Sequence, residues 1–219
     1  MDRGRLTYAI GAAVLLSGCG MLASCKVLTV EEDRAIRARQ GGALDAPGYV
    51  AGMWDDKALP AFRAAAVPLD TLASAIAQDV DRAGGTFGRR AGEGSAWTFV
   101  LEGAGRVVSV DSTSRRGQVM VALPNWPSGQ SARFQIGPVV EGSAVRDALP
   151  FVTFDDFADQ LVFADVGRAL TARALAGVRP VAAGLRPGQT VRFVGIANIR
   201  YANAPLIVTP ISLKVGRAG

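Results

Sequence analysis

The sequence contains no histidine and only two cysteines, Cys19 and Cys25, among its 219 residues. Histidine is the commonest general base and metal ligand, so its absence excludes Ser-His and Cys-His nucleophilic arrangements and histidine-ligated metal centres. Because both cysteines lie close to the N-terminus, no thiol remains further along for a disulfide, a zinc site or a cysteine nucleophile. The sequence therefore predicts no metal site, and we expect that the protein is not an enzyme.

An excess of charge of one sign is also lacking. The 24 basic and 19 acidic residues give a formal net charge of +5. This excess is too small for the basic footprint that is typical of nucleic-acid-binding proteins, and no nucleic-acid partner is predicted. With 49% hydrophobic and 20% charged residues, the composition is that of a globular protein rather than a disordered one.

The N-terminus has the pattern of a secretory signal. Two arginines precede an apolar run over residues 6–16, which is shorter than the roughly 20 residues that a membrane-spanning helix needs. Small residues and a cysteine then follow twice, as LSGC ending at Cys19 and LASC ending at Cys25. Both resemble the bacterial lipobox, whose cysteine receives a diacylglycerol on its sulfur. We therefore expect a lipid-anchored periplasmic protein, with either cysteine as the lipidation site.

The destination among membranes stays open. Cys19 has the better spacing from the apolar run, and neither cysteine is followed by aspartate, which by the usual rule holds such lipoproteins at the inner membrane. Acyl chains would hold the protein on the inner or the outer membrane without a transmembrane helix. The charged, glycine-containing residues 25–48 are predicted to form a tether.

Residues 97–216 contain apolar segments in the order three strands, one helix, two strands, which is typical of an OB-type barrel. The first strand alternates over residues 97–102, passes through Gly-Ala-Gly at 103–105 and resumes as an apolar strand. A long strand with internal glycines must bend sharply, and we expect it to serve both halves of the barrel. Pro210 in the fifth strand predicts an edge or a bulge there.

Helical patterns surround this barrel. Residues 49–90 predict a helical layer, with a kink or break at Pro60 and a second helix that ends at Gly84 and Gly85. In the helix between the third and fourth strands, Thr153 and Asp156 resemble a capping box at its start. That helix is apolar on two sides, so we expect it between the barrel and the helical layer. The predicted fold class is α+β, an OB-like five-stranded barrel with an N-terminal helical layer.

Candidate binding residues lie in three segments between the predicted elements. The glycine-rich basic loop at 86–95, the turn around residue 126 and the crossing loop before the helix could contact a ligand or partner with the exposed barrel face. Their candidate residues are Arg89, Arg90, Glu93, Trp126, Arg146 and Asp147. For the last two, a buried ion pair that fixes the crossing loop is the alternative to ligand recognition.

An enzymatic alternative also stays open. Two carboxylates about 5 to 9.5 Å apart across a cleft would suit a hydrolase of cell-envelope carbohydrate. The candidates are Glu93, Asp147, Asp155 and Asp156. The Gly-Ala-Gly sequence at 103–105 has no third glycine at the required spacing and opens no helix, so it does not predict dinucleotide binding, and no cofactor is predicted.

Several segments together resemble the DUF2291 family of predicted periplasmic lipoproteins over the mature chain. They are Cys25-Lys26-Val27, residues 54–60, 92–99, 137–140, 146–151 and 208–210. The resemblance favours Cys25 for lipidation. It thereby places the end of the signal peptide at residue 24. The helical and strand patterns predict a single domain at 49–219, divided into the helical layer at 49–90 and the barrel at 97–216.

The resemblance also carries an expectation about function. Members of this family are often encoded beside ABC-type sugar uptake systems, which implies an accessory role in transport. The expected partners are the membrane, through the lipid anchor, and a transporter permease or substrate-binding protein.

Overall fold

The computed structural model describes residues 44–157 and 159–216. Both cysteines and most of the predicted tether lie outside these residues, so the lipidation site and the domain boundaries stay predictions. Within the described ranges, no helix combines the length and the hydropathy that crossing a membrane requires.

The first helical segment changes its geometry at the predicted position. Helix α1 (Ala46–Met53) continues into a π-helical turn (Trp54–Ala58) and then into α2 (Leu59–Ala65). Pro60 has no N–H and cannot make the backbone bond that would continue a regular helix from the preceding turn. The predicted irregularity at this proline takes the form of the π-helical turn before it, and the chain stays helical through Pro60 instead of breaking.

The second predicted helix is two helices. Helix α3 (Leu69–Gln78) ends where Asp79 takes an extended conformation, with φ −165° and ψ 117°. Helix α4 (Val80–Phe87) then begins, and the Asp79 carboxylate accepts a hydrogen bond of 2.8 Å from the backbone N–H of Arg82. The prediction of one helix up to Gly84 was wrong, because Asp79 caps a new helix instead of continuing the old one.

Five strands close into a barrel. They are β3 (Trp97–Asp111), β4 (Gln118–Ala122), β5 (Ala132–Gln135), β6 (Thr190–Ile199) and β7 (Ile207–Val215). The order around the ring is β3, β4, β5, β7, β6 and back to β3, and only β5 and β7 run parallel. The predicted OB-like barrel and the α+β class are confirmed.

Strand β3 serves both halves of this barrel, as predicted. Its residues 97–106 pair with β6 and its residues 106–111 pair with β4. Gly105 faces the interior, where a Cβ would come within 2.5 Å of Cγ1 of Val121. The glycine is thus required for the close approach of β4 where the strand passes from one partner to the other.

Two short strands extend the sheet beyond the predicted five. Strand β1 (Ala66–Pro68) pairs in parallel with β3, and β2 (Arg89–Arg90) pairs with the start of β3 in antiparallel orientation. At β7 the register shifts by one residue between Ser212 and Pro210 opposite β6. Pro210 therefore lies at a bulge in a strand that is paired on both sides, which confirms one of its two predicted positions.

The apolar residues form two cores. The barrel interior contains Phe99, Leu101, Phe134 and Phe193, whereas Val100 and Ile196 point outward and pack under the helices. Strand β3 is buried on both faces here, which explains why its sequence is apolar in both registers.

The long helix α6 (Gln160–Ala183) connects these two cores. Its first half contributes Val166 and Leu170 to the outer core with α1, and its second half contributes Leu175 and Val178 to the barrel core. The guanidinium of Arg179 fixes the helix to the barrel by donating to the backbone oxygens of residues 136 and 137, each at 2.9 Å. The expected position of this helix between the barrel and the helical layer is confirmed.

The predicted start of this helix was wrong. Thr153 and Asp156 do form a capping box, but it opens a 3₁₀ turn (Phe154–Asp156). Helix α6 begins later, where the carboxylate of Asp159 accepts hydrogen bonds from the backbone N–H groups of Leu161 and Val162. This segment therefore contains two caps, first Thr153 with Asp156 and then Asp159, and the second one starts the long helix.

Candidate functional site

The predicted basic loop is partly a strand with a fixed arginine. Arg90 pairs with one oxygen of Asp81 at 2.6 Å, and its guanidinium lies 4.0 Å from the ring centre of Trp97. The indole N–H of Trp97 donates to the same oxygen at 2.7 Å. The hydrogen bond from Trp97, followed by that from Arg90, holds the pKa of Asp81 below its ordinary value of 3.8.

This cluster joins α4 to the start of the barrel. Gly84 of α4 lies under the indole of Trp97, and a Cβ at this position would collide with the ring. Arg90 is thereby held in a local contact, whereas Arg89 and Glu93 are exposed on the same segment. All three candidate residues here are exposed, and Arg90 differs from the other two in its contacts with Asp81 and Trp97.

Trp126 is not on an exposed loop face. Its side chain is only 4% exposed and belongs to the barrel core. Its indole N–H has no hydrogen-bond partner among the described residues. The prediction that this ring is open to a partner is wrong, because a large apolar ring is stabilised more by covering the barrel interior than by facing water.

Arg146 and Asp147 form a largely buried ion pair. They lie in the short helix α5 (Ala144–Asp147) and are joined at 2.7 Å. The second oxygen of Asp147 accepts from the hydroxyl of Ser143 at 2.6 Å, and the guanidinium of Arg146 lies 3.9 Å from the ring centre of Phe163. Both charged groups are satisfied inside the fold, which favours a structural role for this pair.

Two of the four carboxylates proposed for hydrolysis are held in such contacts. Besides Asp147, Asp156 accepts from the backbone N–H and the hydroxyl of Thr153, both at 2.8 Å. The backbone hydrogen bond, followed by that from the hydroxyl, lowers the pKa of Asp156. Across residues 44–157 and 159–216, no cluster of three or more acidic, histidine or cysteine side chains could hold a metal ion.

A groove on the outer face of the barrel was missed by the sequence analysis. It has a volume of about 670 Å³ and crosses β3, β6 and β7 next to the junction of β1 and α3. Four charged side chains line it, namely Asp70, Glu102, Arg192 and Lys214. We call this surface the charged groove.

The strand register explains why these side chains meet. Arg192 lies between Ala104 of β3 and Lys214 of β7, so the two cations are direct cross-strand neighbours. Alternate residues of a strand point to one face, and Glu102 and Arg192 therefore lie on the outer face. Like charges opposite each other destabilise a sheet, so the pair of Arg192 and Lys214 does not itself stabilise the fold.

The four charged side chains of the groove are not engaged in ion pairs or side-chain hydrogen bonds with other described residues. Among the residues that the structure describes, no side-chain hydrogen bond or ion pair joins Asp70, Glu102, Arg192 or Lys214 to a partner. The alternation of β3 and β6 could have indicated their outward orientation. Which part of the outer face the helices leave open depends on tertiary packing, for which no local sequence signal exists.

Comparison with solved structures supports the fold assignment. The crystal structure of an OB-fold protein from Thermotoga maritima MSB8 has a TM-score of 0.62 and 14% sequence identity, and the match covers 80% of this chain and 100% of that one. Comparison with curated proteins gives no match. The profile of the DUF2291 family, described as predicted periplasmic lipoproteins, matches residues 10–214, and the chain therefore belongs to this family.

Proposed function

We propose that this protein is a non-catalytic binding module, held on a membrane by its lipid anchor, which assists an ABC-type sugar uptake system. Its partner would be the substrate-binding protein or the permease of that system, bound at the charged groove. The observation that carries the proposal is the set of four charged side chains that line one open groove without internal partners. The resemblance to proteins encoded beside sugar importers supports the transport context.

The groove suits a protein partner with charges of both signs. It presents two cations and two anions, so it would select a surface of matched pattern rather than a polyanion. Its charges stand on paired strands and on the junction of β1 with α3, which limits the conformational freedom that binding has to remove. Charge complementarity of this kind contributes mainly to specificity and to the association rate.

A non-catalytic role fits the carboxylates of the molecule. Asp147 and Asp156 are engaged by neighbours, and the groove residues Asp70 and Glu102 are exposed to water. A glycosidase acid is usually placed in apolar surroundings that keep it protonated. Asp147 and Asp156 instead accept hydrogen bonds from their neighbours, which supports binding over hydrolysis at these two residues.

Affinity capture of the lipidated protein from its native membrane, with mass spectrometry, tests the proposal. Arg192→Ala/Lys214→Ala removes both groove cations, and Arg186→Ala/Arg200→Ala removes two exposed cations that do not line the groove. We expect a sugar-importer component with the wild type and the control, and its loss with the groove variant. Capture of the importer component by all three proteins would overturn the role of the groove. Recovery of no importer component would overturn the proposed function.

A further inference from the structure

An apolar surface lies at the end of the body where the chain enters from the predicted tether. It consists of exposed aromatic and aliphatic side chains, which we call the aromatic patch: Leu44, Tyr49, Phe151, Phe154 and Leu161. Phe154 is 51% exposed and Leu161 is 50% exposed. Contiguous exposed apolar surface of this kind marks contact with a protein or a membrane, whereas single exposed apolar residues are ordinary.

A chain of ring contacts joins two members of the patch, Tyr49 and Phe154. Tyr49 contacts Phe157 with 5.9 Å between ring centres, Phe157 contacts Phe163 at 5.6 Å, and Phe163 contacts Phe154 at 5.7 Å. Arg146 lies against the Phe163 ring at 3.9 Å. The half-buried rings of Phe157 and Phe163 thus connect the exposed ring of Tyr49 with that of Phe154 into one aromatic surface.

The patch lies within reach of the lipid anchor. The family is one of predicted periplasmic lipoproteins, and Leu44, a member of the patch, is the first described residue after the predicted lipidation site at Cys25. Even a fully extended chain between these two residues spans only about 60 Å. The anchor can therefore bring the patch to the membrane surface.

We infer that the aromatic patch is the face with which the anchored body rests on the bilayer surface. Phenylalanine, leucine and tyrosine side chains suit the boundary between head groups and acyl chains. The backbone around the patch is folded into helices and turns, so only the side chains of the patch can enter the bilayer. The contact is therefore superficial. This inference uses the lipid anchor and does not depend on a partner at the charged groove.

The charges around the patch set a preference among lipids. Asp45, Asp155 and Asp156 are exposed next to patch residues. Arg146 is the basic side chain in contact with the rings, and it is already paired with Asp147. An anionic surface repels this acidic rim, so the contact is weaker on anionic lipid than on zwitterionic lipid and recovers when salt screens the charges.

Single labelled cysteines test this orientation, since the described residues contain no cysteine. Phe154→Cys and Leu161→Cys place an environment-sensitive fluorophore in the patch, and Val108→Cys places it at an equally exposed position (50%) on strand β3. The lipidated proteins are reconstituted in phosphatidylcholine vesicles that contain spin-labelled lipid. The parent chain, taken through the same labelling, measures the background from Cys19 or Cys25.

We expect the patch labels to shift to the blue and to be quenched about twofold or more relative to the label at residue 108. Replacing part of the lipid by phosphatidylglycerol should reduce this quenching at low salt. Equal quenching at all three positions would overturn the inference. A blue shift of the patch labels in native membranes but not in lipid vesicles would also overturn it and would assign the patch to a protein partner.

Discussion

Arg146 and Asp147, neighbours in the sequence, form an ion pair of 2.7 Å whose side chains are only 16% and 10% exposed. Both residues belong to α5, and the guanidinium of Arg146 lies against the Phe163 ring of α6. The hydroxyl of Ser143 donates to the second oxygen of the Asp147 carboxylate. Such a pair is costly to break from one side, because the remaining charge stays buried without its partner.

The first prediction therefore concerns Arg146→Met. We expect a loss of about 3 kcal/mol in the free energy of unfolding, measured by chemical denaturation. Arg168→Met is the matched control, since Arg168 is more than half exposed and pairs with Asp165 near the surface, and such pairs contribute less than about 1 kcal/mol. Equal effects of the two substitutions would contradict a structural role and would return the pair to the candidates for ligand recognition.

Much of the fold could be predicted because its signals are local. Short stretches of sequence are enough to predict the alternation of β3, the bend at its internal glycines and the bulge at Pro210. Trp126 was mispredicted because its neighbours are turn residues, whereas its burial depends on the barrel end that the turn covers. The charged groove was missed because it lies on the part of the outer barrel face that the helices leave uncovered. How the helices pack depends on residues that are far apart in the sequence.

The predicted localisation agrees with the family, whose members are described as predicted periplasmic lipoproteins. The choice between Cys19 and Cys25 stays a prediction, since both lie outside the described residues. Mass spectrometry of the mature N-terminus decides it, and we expect the acyl chains on Cys25. Acylation at Cys19 would contradict the predicted signal boundary at residue 24.

The second prediction concerns the close approach of strands at Gly105. Gly105→Ala places a Cβ against Val121 and the backbone oxygen of Ala122, so we expect a loss of about 2 kcal/mol in the free energy of unfolding. Gly177→Ala is the control, because it adds a Cβ in open space on α6 and should stabilise the helix by about 0.8 kcal/mol. Denaturation midpoints that move the same way for both variants would disprove this account of Gly105.

The third prediction is a pH dependence at Asp81. Its pKa is lowered in the folded protein by Trp97 and then by Arg90, so the folded state favours the charged carboxylate. The resulting stabilisation is present above the ordinary pKa of 3.8 and is lost as the pH falls below it towards the folded pKa. The difference in unfolding free energy between the wild type and Asp81→Asn should shrink over that range.

An NMR titration of the Asp81 carboxyl carbon provides the direct measurement. We expect a midpoint below 3.8 in the wild type and a higher midpoint in Trp97→Phe, which removes the hydrogen bond from the indole. An unchanged midpoint in that variant would show that the indole does not stabilise the charge.

The fourth prediction uses the three tryptophans. Trp54 and Trp126 are buried, whereas Trp97 is only half-buried beneath Arg90. Acrylamide should therefore quench Trp97 more strongly than the other two, and Trp97→Phe should remove most of the quenchable fluorescence. If Trp126→Phe removed most of the quenchable fluorescence instead, Trp126 would be exposed to solvent. It would then again be a candidate for binding a partner.

Sugar uptake in the native cell tests the central claim most directly. Initial rates are measured for a panel of radiolabelled pentoses and hexoses in the wild type, in a strain that lacks the gene, and in that strain complemented with each variant. The account predicts that at least one sugar is taken up more slowly without the protein. The wild-type gene and Arg186→Ala/Arg200→Ala should restore the rate, and Arg192→Ala/Lys214→Ala should not. Unchanged uptake of every sugar in the strain without the gene would contradict the account.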